Sequence, residues 1–531
     1  MGNTEVPSLD PANLDRLRNG TVPSGLKKTN PSFHLLIPVS QSNANLCKTL
    51  LSSFVLGYPP PTLINYGKVF DGEGWDKGTH TGKIKGTYDY LNTARHIKDD
   101  DLVLIVDGYD VWFQLPPEVM IRRYHKILDA ASKRLRTRYG MALAAKPGTD
   151  GNLESTQKYI QKVLFAADKL CWPNPADDPA CAAVPYSTLP KDTYGSDTDK
   201  DAEAFHNRPR FLNSGTVIGR VADVRKVYKH AVRKVEENRG TIGDQFVFAE
   251  IFGEQEYQRE ILRQTSQGAG GRWLDWVSNA LGTSDSPLSA NRTINNMTVV
   301  AGIDYELGIG LDYKSELFQT LTHSDKDIEF IAYNDSSVVS HIQEKHPSLR
   351  LHPFWLPIDI QRASPPFTYS SPGNHSEDLK QGILLPYSKK LDTISEELPW
   401  SEVPLATNVY AASIPALLHI NGDKSPLTSW WSQMWFSFNS RALLRRYIRS
   451  TQSKEAAYAA ATGGQTWWDT RGGRGGVWTD KATWMEWGQV CKKTEDEVFA
   501  DGKGRWGRED QSGNVVNSFG KVMEGYDDDE N

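Results

Sequence analysis

The sequence predicts an α/β fold in which helices flank a largely parallel β-sheet. From residue 32 onward, apolar runs of strand length alternate with segments that have helical periodicity. The run Leu102–Val106 is apolar at every position, which is typical of a strand buried on both faces. A chain of 531 residues can also bury a large core. In folds of this class, ligands bind beyond the carboxyl ends of the strands.

The individual elements follow from these patterns in chain order. Strands are predicted at residues 33–40, 62–67, 101–107, 141–145, 162–168, 216–219 and 414–418. Helices are predicted at residues 45–56, 87–97 and 116–135, directly after residue 219, and from about residue 244.

Composition and charge narrow the class of protein. Hydrophobic residues make up 38% of the chain and charged residues 24%, as in soluble globular proteins. The net charge of −6 argues against a nucleic-acid partner. No apolar run reaches the ~20 residues that span a bilayer, so membrane attachment would require an N-terminal anchor that was cut away from this sequence. The 16 Trp and 21 Tyr residues suit either sugar-binding surfaces or a large core.

Changes in composition divide the chain into three parts. Residues 1–30 are polar and rich in Pro, Gly and Asn, as in a stem or linker. Residues 31–440 carry the alternating strands and helices and are predicted to form the main domain. Residues 441–531 form a C-terminal extension that is rich in Gly and Trp and ends in an acidic tail.

The cysteines give a prediction about the cellular compartment. Cys171 and Cys181 flank a turn-rich stretch that could close as a disulfide loop, and their spacing matches no common zinc site. Sequons for N-glycosylation begin at Asn19, Asn291, Asn296, Asn334 and Asn374. Both features favour the secretory pathway, in the lumen of the Golgi or the endoplasmic reticulum.

Two carboxylates directly follow the most apolar strand. Asp107 and Asp110 lie three residues apart, around Gly108 and Tyr109. Such a pair can cap a turn, perform acid–base chemistry or bind a divalent cation. Its position favours the cation, because acids at the end of a buried strand need a counter-charge. Mn²⁺ or Mg²⁺ holding a diphosphate would supply that charge.

Two further segments combine polar side chains with tight backbone. Asn213-Ser214-Gly215 precedes a strand and either forms an ordinary turn or brings backbone close to a ligand. Asp244 and Gln245 lie at the predicted start of a helix, where Asp is also a common capping residue.

A histidine follows the last apolar strand. His419 is followed by Gly422 and Lys424 within six residues. A single histidine is often structural, but this combination could ligate a metal and contact phosphate. A neutral imidazole suits Mn²⁺ better than Mg²⁺, which prefers oxygen ligands.

The order of these motifs is specific. D-x-x-D, L-N-S-G, D-Q and H-x-N-G follow one another, and the sequence resembles in this respect the glycosyltransferase domain of the procollagen lysyl hydroxylase and collagen galactosyltransferase families. The segments 163–175 and 310–321 are also similar to those families. The resemblance covers residues 33–423, whereas the insertion 174–209 and residues 425–531 have no counterpart that we can align.

The resemblance implies a GT-A fold that transfers a sugar from a UDP-sugar to a hydroxyl acceptor on a protein, glycan or small molecule. It implies a site for Mn²⁺ or Mg²⁺ formed by Asp107, Asp110 and His419. The residues implied to contact the sugar, the acceptor and the reacting atoms are Asn213, Asp244 and Gln245. The residues implied to contact the UDP-sugar are Asp107, Tyr109, Gly422 and Lys424.

Several alternatives stay open from the sequence. The protein could have kept the fold of a transferase but bind sugar without catalysis. It could also be a glycoside hydrolase, which needs two facing carboxylates and no nucleotide. In an inverting transferase an acid such as Asp244 would deprotonate the acceptor hydroxyl. In a retaining transferase, Asp244 or Gln245 would instead stabilise the cationic sugar. The sequence gives no prediction of the oligomeric state.

Overall fold

A computed structural model gives the fold of most of the chain. The residues that it describes are 31–70, 78–145, 153–237, 243–268, 303–346, 354–366, 398–449, 475–491 and 494–502, together with a few short stretches and single positions between and beyond them. The predicted stem at residues 1–30 and the acidic tail lie outside the described residues.

The described strands and helices alternate along most of the chain. The strands are β1 (Phe33–Pro38), β2 (Thr62–Ile64), β3 (Leu102–Val106), β4 (Val111–Phe113), β5 (Met141–Ala145), β6 (Leu153–Gln157), β7 (Val163–Asp168), β8 (Phe211–Arg220), β9 (Ile309–Asp312), β10 (Phe318–Thr320), β11 (Ile328–Ile331), β12 (Leu405–Asn408), β13 (Leu417–His419), β14 (Gly476–Thr479), β15 (Trp484–Glu486), β16 (Arg508–Glu509) and β17 (Val515–Val516). The helices are α1 (Ala44–Val55), α2 (Thr79–Thr93), α3 (Pro117–Tyr139), α4 (Pro179–Ala182), α5 (Val221–Glu237), α6 (Asp244–Ser266), α7 (Ser336–Lys345), α8 (Ile358–Gln361), α9 (Pro426–Ser429), α10 (Ser440–Arg449), α11 (Trp487–Val490) and α12 (Glu495–Phe499).

A mixed sheet of eight strands forms the centre of the molecule. Its strand order is β15-β14-β2-β1-β3-β8-β7-β9. The pairings β14–β2, β2–β1, β1–β3 and β7–β9 are parallel. The pairings β3–β8, β8–β7 and β14–β15 are antiparallel, which makes β8 the reversed strand in the middle of the sheet. The α/β class and the largely parallel sheet are therefore confirmed.

The central sheet separates two hydrophobic cores. Alternate residues of β3 face opposite sides, so Leu104 lies in one core and Val103 in the other. The first core contains residues of α1 and α10, and the second contains residues of α2, α5 and α6. Burial on both faces explains why the β3 sequence is apolar without alternation.

A smaller sheet adjoins one end of the central sheet. Its strand order is β10-β13-β4, with β13 parallel to β10 and antiparallel to β4. The chain passes from the central sheet into this small sheet between β3 and β4. The connection consists of residues 107–110, so both predicted acids lie where the two sheets meet.

The helix predicted at residues 87–97 is shifted in the structure. α2 begins at Thr79 and ends at Thr93. It buries Ile84, Tyr90 and Leu91 against the neighbouring layers. The first half of α2 has little apolar periodicity of its own, so tertiary packing must stabilise the helix there.

The C-terminal extension contributes to the central sheet. β14 pairs in parallel with β2, and β15 continues the sheet as its outer strand. α10, at the start of the extension, shares a core with α1. These described parts of residues 441–531 thus extend the sheet and core of the main domain. None of the described helices combines the length and the apolar character that crossing a membrane requires.

Two disulfides connect distant and local parts of the fold. Cys171–Cys181 closes the predicted short loop. Cys47–Cys491 joins α1 to the residue after α11, across a sequence separation of 444 residues. The sequence did not indicate this second pair, because nothing local relates two cysteines so far apart.

The long-range disulfide should contribute strongly to stability. We expect the double substitution of Cys47→Ser and Cys491→Ser to lower the free energy of unfolding by about 2–5 kcal/mol, because the unfolded chain loses its longest cross-link. Denaturant unfolding would measure this change. The matched control is the Cys171→Ser, Cys181→Ser pair, whose loop is much shorter. Labelling of Cys47 or Cys491 in unreduced, denatured protein would contradict the assignment.

Candidate metal centre

The connection between β3 and β4 presents two carboxylates at the junction of the sheets. The Asp107 N–H donates to the carbonyl of Gly215 at 2.8 Å, which fixes the start of the connection against β8. The Ile420 N–H donates to the carbonyl of Asp110 at 2.7 Å, which fixes its end against the residue after β13. Backbone pairing on both sides therefore sets the positions of the two acids.

Strand pairing brings the predicted histidine to the same place. His419 is the last residue of β13 and lies opposite Val111, the residue after Asp110. Its Nε2 lies 3.6 Å from Asp107 Oδ2 and 3.6 Å from Asp110 Oδ1. One donor atom from each of the three residues lies within 4.8 Å of the other two. Within the described part of the chain, this is the one such group suited to a metal ion.

His419 does not lie in the central sheet, although its strand follows the same pattern as β3, an apolar run that leads into a polar side chain. Its strand belongs to the small sheet, and the histidine meets the acids because β4 crosses from one sheet to the other.

Two lysines occupy the outer oxygens of the carboxylates. Lys83 Nζ donates to Asp107 Oδ1, and Lys424 Nζ donates to Asp110 Oδ2 at 2.7 Å. Each carboxylate therefore directs one oxygen at a lysine and the other towards His419 Nε2. Asp107 Oδ2, Asp110 Oδ1 and His419 Nε2 form a face of three metal-donor atoms, called here the three-donor face. Solvent reaches this face at Asp107, whose side chain is 30% exposed.

An asparagine determines which nitrogen of His419 carries a proton. Asn213 Oδ1 accepts the Gly215 N–H at 3.0 Å, which identifies this atom as the amide oxygen. The same oxygen lies 3.0 Å from His419 Nδ1, which must therefore be the protonated nitrogen. Neutral His419 is then the tautomer with its proton on Nδ1, and the lone pair of Nε2 points at the carboxylates. A metal ion bound at Nε2 requires this tautomer.

Asn213 is itself held by a buried acid. Its amide nitrogen donates to Asp168 Oδ2 at 2.8 Å, and Asn421 donates to Asp168 Oδ1 at 3.2 Å. Burial raises the pKa of Asp168, against the lowering effect of the hydrogen bond from Asn213. A chain of hydrogen bonds thus runs from Asp168 through Asn213 to the imidazole.

The electrostatics of the three-donor face favour bound positive charge. Burial lowers the pKa of His419, but the carboxylates of Asp110 and Asp107 outweigh this effect, so its pKa lies above the usual range. Burial raises the pKa of Asp110, but His419 and Lys424 outweigh it and hold that pKa far below the usual range. Without a metal, a proton on His419 can balance the acids, and a divalent cation would replace that proton.

A glycine makes the close approach of these groups possible. A Cβ at Gly215 would lie 2.1 Å from His419 Cε1 and 2.7 Å from Asp107 Oδ2. Gly215 belongs to a bulge in β8, because consecutive residues of β7 pair with Asn213 and Val217. The segment Asn213–Gly215 is therefore part of a strand, and its backbone approaches the imidazole and the carboxylate.

The predicted acid at the start of α6 has an extensive set of partners. Asp244 Oδ2 accepts from Lys83 Nζ at 2.7 Å and from the Ser214 hydroxyl at 3.0 Å, while Asp244 Oδ1 lies 2.7 Å from His80 Nδ1. Burial raises the pKa of Asp244, but Lys83 and His80 outweigh this and keep that pKa far below the usual range. At neutral pH Asp244 is therefore charged and a weak base. Gly243, not Asp244, occupies the capping position of the helix.

The remaining predicted residues have distinct environments. Gln245 accepts the Ser214 N–H at 2.9 Å and donates to the Leu212 carbonyl at 2.6 Å, so it supports the β8 bulge. Tyr109 lies within the connection that carries the acids, and its hydroxyl donates to the Gln41 carbonyl at 3.0 Å.

The turn after β13 positions Lys424. Gly422 has a φ of +74°, a conformation that favours glycine. A Cβ there would also lie 2.7 Å from the Thr322 hydroxyl oxygen. The turn returns the Lys424 ammonium to the carbonyl of Ile420 at 2.6 Å and to Asp110.

Sequence reasoning missed several residues of this centre. His80 and Lys83 lie in the first half of α2, where the sequence gave no helix signal. Asp168 and Asn421 carry a weak signal, since each is a polar residue at or just after a strand end. The position of Asp168 after an apolar run is the same pattern that singled out Asp107.

Comparisons with known proteins add no relative. No protein-family model matches the sequence. No curated protein matches it either. What this centre can do chemically must therefore be inferred from its geometry and from the order of its motifs.

The hydrogen bond from His419 to Asn213 should set the metal affinity. We expect Asn213→Ala to weaken Mn²⁺ binding about 10- to 100-fold, because the imidazole loses the acceptor that fixes its tautomer. Isothermal titration calorimetry would measure the affinity. Asn92→Ala, at an exposed position of α2, serves as the control and should bind like the wild type. Equal affinities for Asn213→Ala and the control would show that Asn213 does not orient the ligand.

The metal affinity should depend on pH through His419. Because its pKa is raised above about 6.5, a proton competes with the metal at neutral pH, and the affinity should fall as the pH falls. We expect Mn²⁺ to bind about tenfold or more weakly at pH 6 than at pH 8, with release of a proton. Calorimetry in buffers of different ionisation enthalpy would detect that proton. In His419→Gln the proton release should disappear, and a wild-type affinity that is the same at both pH values would contradict this account.

Proposed function

We propose that this protein is a metal-dependent glycosyltransferase that moves a sugar from a UDP-sugar to a hydroxyl acceptor. The observation that carries the proposal is the three-donor face of Asp107, Asp110 and His419. It lies at the junction of two sheets, beyond the carboxyl end of β3, where α/β proteins bind ligands. The order of the motifs and their resemblance to collagen-modifying transferases support the same conclusion.

The donor set fits a divalent ion. Two carboxylate oxygens and one neutral imidazole nitrogen suit Mn²⁺, and Mg²⁺ less well because of the nitrogen. Asp107, Asp110 and His419 would hold the ion. A bound ion of this kind would neutralise the charge that develops on the diphosphate leaving group.

Lys83 and Lys424 place two positive charges beside the proposed metal. Lys424 lies on the turn after β13 and contacts Asp110. Because its side chain is exposed, its ammonium could also contact a diphosphate that binds next to this acid. Lys83 lies between Asp107 and Asp244 and connects the metal ligands to the other charged group of the site. We propose that both lysines bind the negative charge of the donor substrate.

The charge state of Asp244 favours one of the two roles that the sequence left open. A carboxylate with a strongly lowered pKa accepts a proton poorly, so Asp244 is a weak candidate for the base of an inverting mechanism. We propose that it stabilises positive charge on the transferred sugar. Gln245, whose amide contacts backbone groups of β8, would position Ser214 and the bulge.

The charges of Asp110 and Asp244 make neither of them suited to be the acid of a glycoside hydrolase. Hydrolases of that kind require one carboxyl group that is protonated near neutral pH. Asp110 and Asp244 both have pKa values far below the usual range, because the adjacent cations outweigh burial. A sugar-binding protein without activity would have no need for a metal–diphosphate site.

The disulfides are consistent with a secretory protein. All four cysteines are paired. Disulfides persist mainly in oxidising compartments, and we propose the lumen of the secretory pathway as the place of action.

A UDP-release assay over a panel of UDP-sugars tests the function. We expect Mn²⁺-dependent release for at least one donor, and a loss on the order of 100-fold or more in Asp110→Asn, because the charge at the leaving group is no longer balanced. Asp423→Asn is the matched control, since Asp423 lies in the turn after β13 and its carboxylate accepts from the N–H and the hydroxyl of Ser425.

Thermal denaturation separates the alternatives. A transferase should be stabilised by UDP and Mn²⁺ together more than by either alone. A hydrolase should respond to neither. Full turnover in Asp110→Asn, or equal stabilisation by UDP with and without Mn²⁺, would contradict the proposal.

A further inference from the structure

A cavity lies beside β9, the edge strand of the central sheet opposite β15. Its volume is about 670 Å³, within the range of small-molecule sites. Its walls come from the last turns of α3, from the edge strand β9, from α6 and from the segment 183–188. A smaller cavity of about 140 Å³ adjoins it and shares Arg134, Leu311 and Tyr313.

This cavity is separate from the metal centre. β9 lies three strands from β3 in the central sheet. Strands are spaced about 4.8 Å apart, so β9 and β3 themselves lie about 14 Å from each other. None of the residues that line the cavity belongs to the metal centre.

The acids of the cavity are already neutralised. Glu256 pairs with Arg259 at 2.6 Å, and Glu260 pairs with Arg138 at 2.9 Å and with Arg263 at 2.6 Å. Arg134 differs from these arginines, because no hydrogen bond or ion pair joins its guanidinium to any other residue that the structure describes. The cavity therefore carries an uncompensated positive charge at Arg134.

A buried amide in the same cavity also lacks a partner. Gln161 is 7% exposed, and its Nε2 has no hydrogen-bond partner among the described residues. The amide packs on the edge strand where Gly310 leaves room, since a Cβ there would lie 2.1 Å from Gln161 Cδ. A buried donor without a partner is destabilising, so a ligand that accepts a hydrogen bond from it would remove this cost.

The other walls suit a ring. Phe252, Leu311 and Tyr313 provide apolar and aromatic surface in the same cavity. Aromatic and apolar side chains pack against the faces of sugars and bases, while a few polar groups fix the orientation of the ligand.

We propose that this cavity binds a small organic anion that carries a ring, namely a sugar acid, a sugar phosphate or a nucleotide. Arg134 binds the carboxylate or phosphate, Gln161 donates a hydrogen bond to the same ligand, and the ring packs near Tyr313. The proposal does not depend on sugar transfer at the metal centre, because the two sites share no residue.

Ligand titration of the full chain in the presence of EDTA tests the proposal, since removal of divalent metal suppresses nucleotide binding at the metal centre. The probes are glucuronic acid, glucose 6-phosphate and UMP, with glucose as the neutral comparison. We expect saturable binding of at least one anion and none of glucose. Arg134→Gln and Gln161→Leu should each weaken that binding about tenfold or more. Arg136→Gln, on the same helix but outside the cavity, should bind like the wild type.

The outcomes show whether the cavity binds an anion and which class of anion it binds. The probe that binds most tightly distinguishes carboxylate, phosphate and nucleotide ligands. Circular dichroism of each variant establishes that it is folded, and two independent variants guard against the failure of one. The proposal is overturned if no anion binds, if glucose binds equally well, or if both variants retain wild-type affinity. It is also overturned if Asp110→Asn abolishes anion binding, because the anion would then occupy the metal centre.

Discussion

The structure around the proposed active site depends on one electrostatic constraint, which is the close approach of two carboxylates to a buried imidazole. Asp107 and Asp110 direct one oxygen each towards His419 Nε2 at 3.6 Å. Such a group is stable only with added positive charge. Lys83 and Lys424 supply part of that charge from outside, and a proton on His419 or a divalent ion supplies the rest.

The surrounding fold serves to hold this arrangement. The crossing of the chain from β3 to β4 brings the acids to the small sheet, and the pairing of β13 with β4 places the histidine beside them. The bulge in β8 positions Asn213 against the imidazole and leaves Gly215 without a side chain where one would collide. The second core fixes α2, which carries Lys83. Each of these contacts joins residues far apart in sequence.

Local patterns in the sequence predicted the buried strand β3, one disulfide and the three proposed metal ligands. The apolar run of β3 gave its bounds to within one residue, because burial on both faces leaves a strong signal. Cys171 and Cys181 were predicted as a pair because a short turn-rich loop connects them. The order of the motifs suggested that Asp107, Asp110 and His419 act together, and the structure brings them into one group.

Features that arise from tertiary pairing had no local signal. The first half of α2 contains Gly82 and Gly86 and few apolar residues, so its helix and the role of Lys83 emerge only from packing. β14 lies in the C-terminal extension that composition indicated, and it joins the central sheet by pairing with β2 across more than 400 residues. The tautomer of His419 depends on a hydrogen bond to Asn213, 206 residues away.

The most direct test of this account is anomalous diffraction at the manganese edge from crystals grown with Mn²⁺ and UDP. The account predicts one strong anomalous peak bounded by Asp107, Asp110 and His419, with the diphosphate of UDP on the same ion. A UDP molecule bound without a peak between these residues would contradict it, as would a manganese ion bound elsewhere while His419 keeps both carboxylates as its partners.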